Sequence, residues 1–199
     1  MTHLRRLVRA PGTYFITSRT YNRRMIFAKE APACLFIECL FHYRDEGHFL
    51  LHEFSVMPDH FHLLITPAPN VALERALQFI KGGSSHHIKK ELGYTFPIWQ
   101  TGFHDHRIRS ASDYQRHREY VLSNAVRERL VRTPEEFPFC SAHPRHKNRL
   151  DSWPPREFPS AAKAGEEDDV RTAALKRGPD KTTRGQHTQG ESAIMAGKR

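Results

Sequence analysis

An α+β architecture, a ferredoxin-like antiparallel sheet with helices packed on one face, is what the sequence of this 199-residue chain predicts. Two observations carry it: the hydrophobic pattern runs in the order β-α-β-β-α-β-α, and the middle two strands are joined by a short turn. Gly12 to Tyr21 is rich in β-branched and aromatic residues and reads as the first strand. Over residues 30–45, Leu35, Phe36, Cys39, Leu40 and Tyr43 recur at helical spacing, with Gly47 as a stop. His48 to Met57 and His60 to Thr66 form a hairpin of two buried-looking strands across Pro58-Asp59. A helix follows from about Val71 to Leu92; Gly82-Gly83 inside it cost roughly 1 kcal/mol each and mark a break or the close approach of a ligand backbone. Ile98 to Arg109 is a strand or extended arm, and Ala111 to Val131 a helix capped by Ser110 or Ser112. Sheets of this kind leave one face open, where such folds commonly present residues to single-stranded nucleic acid.

Charge points the same way. The chain carries 31 Lys+Arg against 22 Asp+Glu, a formal charge of +9 and a sequence pI near 9.7, which favours a polyanionic partner. Residues 1–142 hold 19 basic and 14 acidic side chains and residues 143–199 hold 12 and 8, so the body is basic without its tail. From His143 onward the large apolar residues, among them Leu150, Trp153, Phe158 and Val170, are scattered without period, too few to offset the entropy of ordering. The expected organisation is therefore a folded domain over 1–142 and a disordered basic and polar tail over 143–199. No stretch approaches the roughly 20 apolar residues of a membrane span, and Met1-Thr2-His3-Leu4-Arg5-Arg6-Leu7 has no export-type apolar run, so the expected location is cytoplasmic. Cys34, Cys39 and Cys140 form no CxxC pair and read as reduced thiols.

The sharpest chemical feature is His60-Phe61-His62. Alternate residues of a strand share a face, so the two imidazoles project together, able to share a metal, while Phe61 enters the core. With 14 His in the chain, composition alone gives about one His-x-His, and His104-Asp105-His106 is a second. The count decides nothing; the hydrophobic middle residue, the strand and the basic domain single out His60 and His62. A histidine-triad hydrolase would need a third His at Leu64, and a metalloprotease His-Glu-x-x-His on a helix; both are absent. On the last helix, Tyr120 and Asn124 lie four apart, hence on one face. A tyrosine phenolate can take a 5′-phosphate and later hand it back, and Asn124 can add an oxygen ligand to a metal held by two imidazoles.

The succession Met57-Pro58-Asp59-His60-Phe61-His62-Leu63-Leu64, Trp99-Gln100-Thr101-Gly102-Phe103-His104-Asp105-His106-Arg107-Ile108-Arg109, Asp113-Tyr114, Tyr120-Val121-Leu122-Ser123-Asn124-Ala125-Val126 and Leu130-Val131 resembles the IS200-like single-tyrosine (HUH) transposases, over about residues 10–142. Within them it is most similar to the branch associated with repetitive extragenic palindromes (REP). The resemblance implies that His60 and His62 bind a metal, that Tyr120 is the attacking nucleophile, and that Asn124 is the third metal ligand. Ala125 stands where that branch usually carries Pro. The implied cofactor is Mg²⁺ or Mn²⁺, and the implied substrate is single-stranded DNA with a hairpin, cleaved and rejoined through a 5′-phosphotyrosine. Arg19, Arg23, Arg24, Lys81, Lys89, Lys90, Arg107 and Arg109 are candidate phosphate contacts, with Tyr14, Tyr21 and Trp99 as stacking candidates. His104 and His106 are assigned to structure or DNA contact, since the family places its ligands elsewhere. The branch implies a monomer, the shorter insertion-sequence enzymes a homodimer. Two other readings compete: a catalytically inactive single-stranded nucleic-acid-binding protein of the same fold, and a hydrolase using His60 and His62 with activated water.

Overall fold

Four strands and three α-helices build the body seen in a computed structural model, which describes residues 12–155. The chain divides into two units, residues 1–164 and 165–199, and every described residue belongs to the first. The expected tail beyond residue 155 lies outside the described residues. In chain order the elements are β1 (Tyr14–Arg19), α1 (Glu30–Asp45), β2 (Phe49–Met57), β3 (His60–Pro67), α2 (Leu73–Leu92), β4 (His104–Arg107) and α3 (Ala111–Arg127). The sheet is antiparallel, in the order β2-β3-β1-β4, which is the ferredoxin-like arrangement.

Side-chain alternation divides the sheet into two different faces. Tyr14 and Ile16 of β1 and Phe61, Leu63 and Ile65 of β3 point to one side, where they join Phe36, Leu40, Leu77 and Ile80 of α1 and α2 in the main core. The alternate residues Phe15, Thr17, His60, His62 and Leu64 point to the other. That second face is partly covered, and here the structure adds to the expectation of helices on one face: α3 crosses it, with Val121 and Tyr114 packed on Leu64 and with Ala125 on Met57. The third helix is amphipathic, so its periodicity alone cannot tell which face of the sheet it will cover.

The Gly82-Gly83 pair does not mark a helix break. The helix α2 continues through both, and a Cβ on Gly83 would lie 2.5 Å from the Tyr43 ring of α1, so glycine is what lets the two helices approach. Tyr43 is held against Phe79 and His48, with ring centroids 5.3 and 5.8 Å away. At Gly82 nothing lies within 4 Å. Gly83→Ala is expected to lower stability by on the order of 1–3 kcal/mol. Gly82→Ala is expected to raise it by up to about 1 kcal/mol. Urea midpoints at unchanged m-value read both, and equal shifts would contradict the packing role of Gly83.

The folded body also continues past the expected boundary at residue 142. β2 is an edge strand, yet it is buried along its whole length, because residues 139–151 run beside it. Val56 N donates to Phe139 O (2.9 Å), Ser141 N to Phe54 O (2.9 Å), and Leu51 N to the Asp151 carboxylate (2.8 Å). Arg44 grips the same carboxylate at 2.5 and 3.0 Å, and the Trp153 ring stacks on Tyr114 at 4.2 Å. This segment closes a sheet edge through hydrogen bonds, with only scattered apolar residues such as Leu150 and Trp153 packed on the core, so its composition conceals its order. The last helix ends at Arg127, short of the expected Val131. Arg129 takes φ 58° while Leu130 N bonds Ala125 O and Arg129 N bonds Val126 O, a left-handed stop built without glycine. Ser110 is its N-cap, accepting from Asp113 N at 3.1 Å.

Candidate active site

The Pro58-Asp59 turn delivers His60 and His62 to one face of β3 and is itself held from outside: Thr20 N and Oγ1 donate to Asp59 O, and Phe27 N to Pro58 O. Asp59 Oδ1 lies 2.6 Å from His60 Nδ1, and its other oxygen accepts from Arg23 Nε at 3.2 Å. Burial alone would raise the Asp59 pKa, but the bonds from His60 and Arg23 overcome it and hold the carboxyl below its ordinary value. The carboxylate can only accept, so the His60 Nδ1 carries the proton and its Nε2 presents a lone pair. That lone pair faces His62 Nε2 at 3.1 Å, while His62 Nδ1 bonds Thr17 Oγ1 at 2.8 Å. Two imidazole nitrogens 3.1 Å apart, each with its far side anchored, are spaced as two ligands of a single metal ion would be.

Burial pushes the His62 pKa down to about 3, with His60, Arg127 and Arg19 nearby adding to the effect. His62 therefore stays neutral, the form that binds a metal, across the physiological range. The same shift makes stability depend on pH. Between about pH 6.5 and 3 the unfolded chain takes a proton on this residue that the folded chain refuses. Stability is thus complete above pH 6.5 and declines as the pH falls through that window. His52, buried against Thr66 and Asp151, is shifted in the same direction by burial. At pH 5 the His62 contribution is expected to amount to a loss on the order of 2 kcal/mol. Urea midpoints at pH 7.5, 6 and 5 test this, and a flat profile would contradict it.

The helix α3 brings Tyr120 over the pair. Its ring meets His62 edge-on at 5.1 Å and Phe15 at 5.7 Å, and the side chain stays 37% exposed, open to a polymeric substrate. One turn on, Asn124 is buried at 5% exposure, and its carboxamide has no hydrogen-bond partner among the described residues. An unpaired buried amide costs on the order of 1–3 kcal/mol unless a ligand completes it. Its neighbour Ala125 packs on Met57, which pairs with His60 across the hairpin, so this part of α3 lies over the histidines. Glu53 anchors the helix from below, accepting from Arg118 Nε and Ser141 Oγ, each at 2.6 Å.

Residues 12–125 match the family described as "Transposase IS200 like". The chain belongs to the IS200-like transposase family. A relative from Escherichia coli (strain K12), the REP-associated tyrosine transposase, is 28% identical over 144 residues, covering 72% of this chain and 84% of its own. A solved structure, "Structure of the REP associates tyrosine transposase bound to a REP hairpin", superposes with a TM-score of 0.59 at 26% identity, over 72% of this chain and 84% of that one.

In this family member the candidate DNA contacts scatter. Arg19 sits on the histidine face, opposite His60 in the β1–β3 register. Arg23 is engaged by Asp59, and Arg24 lies over the Phe96 ring at 4.3 Å. Lys81 is bound to the carbonyls of Gln100 (2.9 Å) and Gly102 (2.6 Å), and burial pulls its pKa down to about 8, so it fastens a loop to α2. Lys89 and Lys90 are exposed at the end of α2, which packs on the opposite face of the sheet. Arg107 and Arg109 flank the β4–α3 junction, exposed. Tyr14 is core, and the Trp99 ring packs among Phe27, Phe36 and Phe61, leaving Tyr21 as the exposed stacking candidate. Residue spacing did not single out Arg127, whose guanidinium lies 4.9 Å over the Tyr120 ring. Its position seven residues from Tyr120, two turns along the same face, is the signal that could have found it. Among the described residues no helix is long and apolar enough to cross a membrane.

Proposed function

We propose that this transposase cleaves and rejoins hairpin-bearing single-stranded DNA through a 5′-phosphotyrosine on Tyr120, using one divalent cation. The observation that carries the reading is the pairing of the Nε2 atoms of His60 and His62 beneath the ring of Tyr120, with the unpaired buried amide of Asn124 one turn further along the same face of α3. Two imidazoles and an amide oxygen suit a Mn²⁺ or Mg²⁺ ion, the softer nitrogens favouring Mn²⁺. When bound, that ion supplies a Lewis acid that polarises the scissile phosphate and offsets the charge growing on its oxygens. Arg19 and Arg127 add fixed positive charge beside the histidines and orient the phosphate. The Tyr120 oxygen attacks phosphorus, the bond to the 3′ oxygen breaks, and the phenolic proton passes to water while the departing oxygen takes one up. A different 3′-hydroxyl reversing this step on the adduct joins strands in a new combination, with no external energy source. The solved relative bound to a REP hairpin supports hairpin DNA as the ligand class.

The test uses single-stranded DNA carrying a hairpin, labelled at its 3′ end, because a 5′-phosphotyrosine retains the downstream strand. A covalent protein–DNA band on denaturing gels that needs Mn²⁺ or Mg²⁺ is the expected result. Cleavage without that band would favour the hydrolase, and binding without cleavage the inactive binding protein. Asp59→Asn is expected to raise the half-saturating Mn²⁺ concentration about 10- to 100-fold, read by titration calorimetry, since an amide no longer enforces the His60 tautomer. Unchanged Mn²⁺ affinity would detach Asp59 from the site.

A further inference from the structure

Outside the catalytic pair, one other group of His, Cys, Asp and Glu side chains among the described residues brings its ligand atoms together: His106, Asp113 and His117, all within 4.8 Å of one another. His106 comes from β4, opposite Phe15 and therefore on the face that α3 covers. Asp113 and His117 lie one turn apart at the start of α3. Asp113 Oδ2 accepts from His106 Nε2 at 2.9 Å and from Arg109 N at 3.0 Å. Its Oδ1 lies 3.2 Å from His117 Nδ1, which also donates to the Asp113 carbonyl at 2.9 Å. The two imidazoles stack within 17° of parallel, with centroids 4.6 Å apart.

We propose that His106, Asp113 and His117 form a second divalent-cation site, for a borderline ion of the Zn²⁺ type, which clamps β4 to α3. Two imidazoles and one carboxylate, with His106 open to solvent, are a donor set that suits such ions and leaves a coordination position for water or a phosphate oxygen. The carboxylate is already oriented by the Arg109 amide, and the turn that holds it is capped by Ser110. The ion replaces the protons that the imidazoles now share with Asp113, and His117 gives up its bond to the Asp113 carbonyl. Ligand atoms around a tetrahedral ion sit roughly 3.4 Å apart, so the widest present separation must contract. His106, whose side chain is 45% exposed, has room to swing inward.

The clamp bears on the catalytic helix. His117 precedes Tyr120 by three residues, and the Phe15 ring touches His117 (4.8 Å), His62 (5.5 Å) and Tyr120 (5.7 Å). An ion at this site therefore braces the segment that presents the tyrosine, as a positioning element. The site shares no ligand with His60, His62 or Asn124, so it stands or falls apart from the transposition chemistry.

The experiment titrates the full chain with Co²⁺ and Zn²⁺ in a His60→Ala background, which disables the catalytic pair. One equivalent of Co²⁺ with visible d–d absorption is expected, together with a Zn²⁺-dependent rise in Tm, and both are expected to vanish in His60→Ala/His106→Ala. Since His106 is exposed, melting in chelator should match between the two variants, which shows that the second is folded. Asp113→Asn, which keeps an acceptor for Arg109 N, is expected to weaken Zn²⁺ binding at least about tenfold. No bound equivalent in His60→Ala, or an equal one in the double variant, would overturn the site.

Discussion

Tyr120→Phe is expected to abolish the covalent adduct and reduce strand cleavage by at least on the order of 10⁴-fold, while leaving hairpin binding within about twofold. The reason is local. The Tyr120 hydroxyl has no hydrogen-bond partner among the described residues, and the ring is held by edge contacts with His62 and Phe15 and by Arg127 above it, all of which phenylalanine preserves. Stability should therefore change by no more than about 0.5 kcal/mol. Loss of activity in this variant is a loss of the nucleophile and of nothing else. Continued turnover at a rate near that of the native chain would transfer the chemistry to activated water, and with it the function to a hydrolase.

His60→Ala is expected to cost roughly a tenth as much, by a different route. Stabilisation of charge by a cation at a phosphoryl group is worth several kcal/mol, which at about 1.4 kcal/mol per decade is on the order of 10³-fold in rate. This residue is the better of the pair to change. His62 is 3% exposed and bonded to Thr17, so its truncation would confound metal loss with a cavity, whereas His60 is partly open and its backbone is fixed by β3. The variant should keep the hairpin affinity, lose the Mn²⁺ dependence of the residual rate and release Asp59 to pair with Arg23 alone. Cleavage that still responds to Mn²⁺ with the original half-saturation would place the ion elsewhere.

Much of this site was legible in the chain because two periodicities expose it directly. The period of a strand puts His60 and His62 on one face however the sheet is assembled, and the period of a helix does the same for Tyr120 and Asn124. What aligns those two faces is α3 crossing the sheet with Val121 on Leu64 and Ala125 on Met57, and no local pattern encodes which side of a sheet an amphipathic helix will take. The supporting residues were hidden for a related reason. Thr17 and Arg127 are ordinary strand and helix residues until the fold brings one beneath His62 and the other over Tyr120. Residues 143–155 were hidden because hydrogen bonds to a sheet edge leave no mark in hydropathy.

By itself, then, the sequence determined the order of elements, the antiparallel hairpin, the basic charge and the identity of the metal-ligand and nucleophile candidates, since these follow from local periodicity, turn chemistry and residue type. Tertiary structure alone decided that α3 covers the histidine face, that Gly83 serves the α1–α2 contact, that Lys81 is spent on carbonyls, and that His106 meets Asp113 and His117. Each of these depends on atoms distant in sequence being brought within a few ångströms, a distance set by packing and not by any neighbour along the chain.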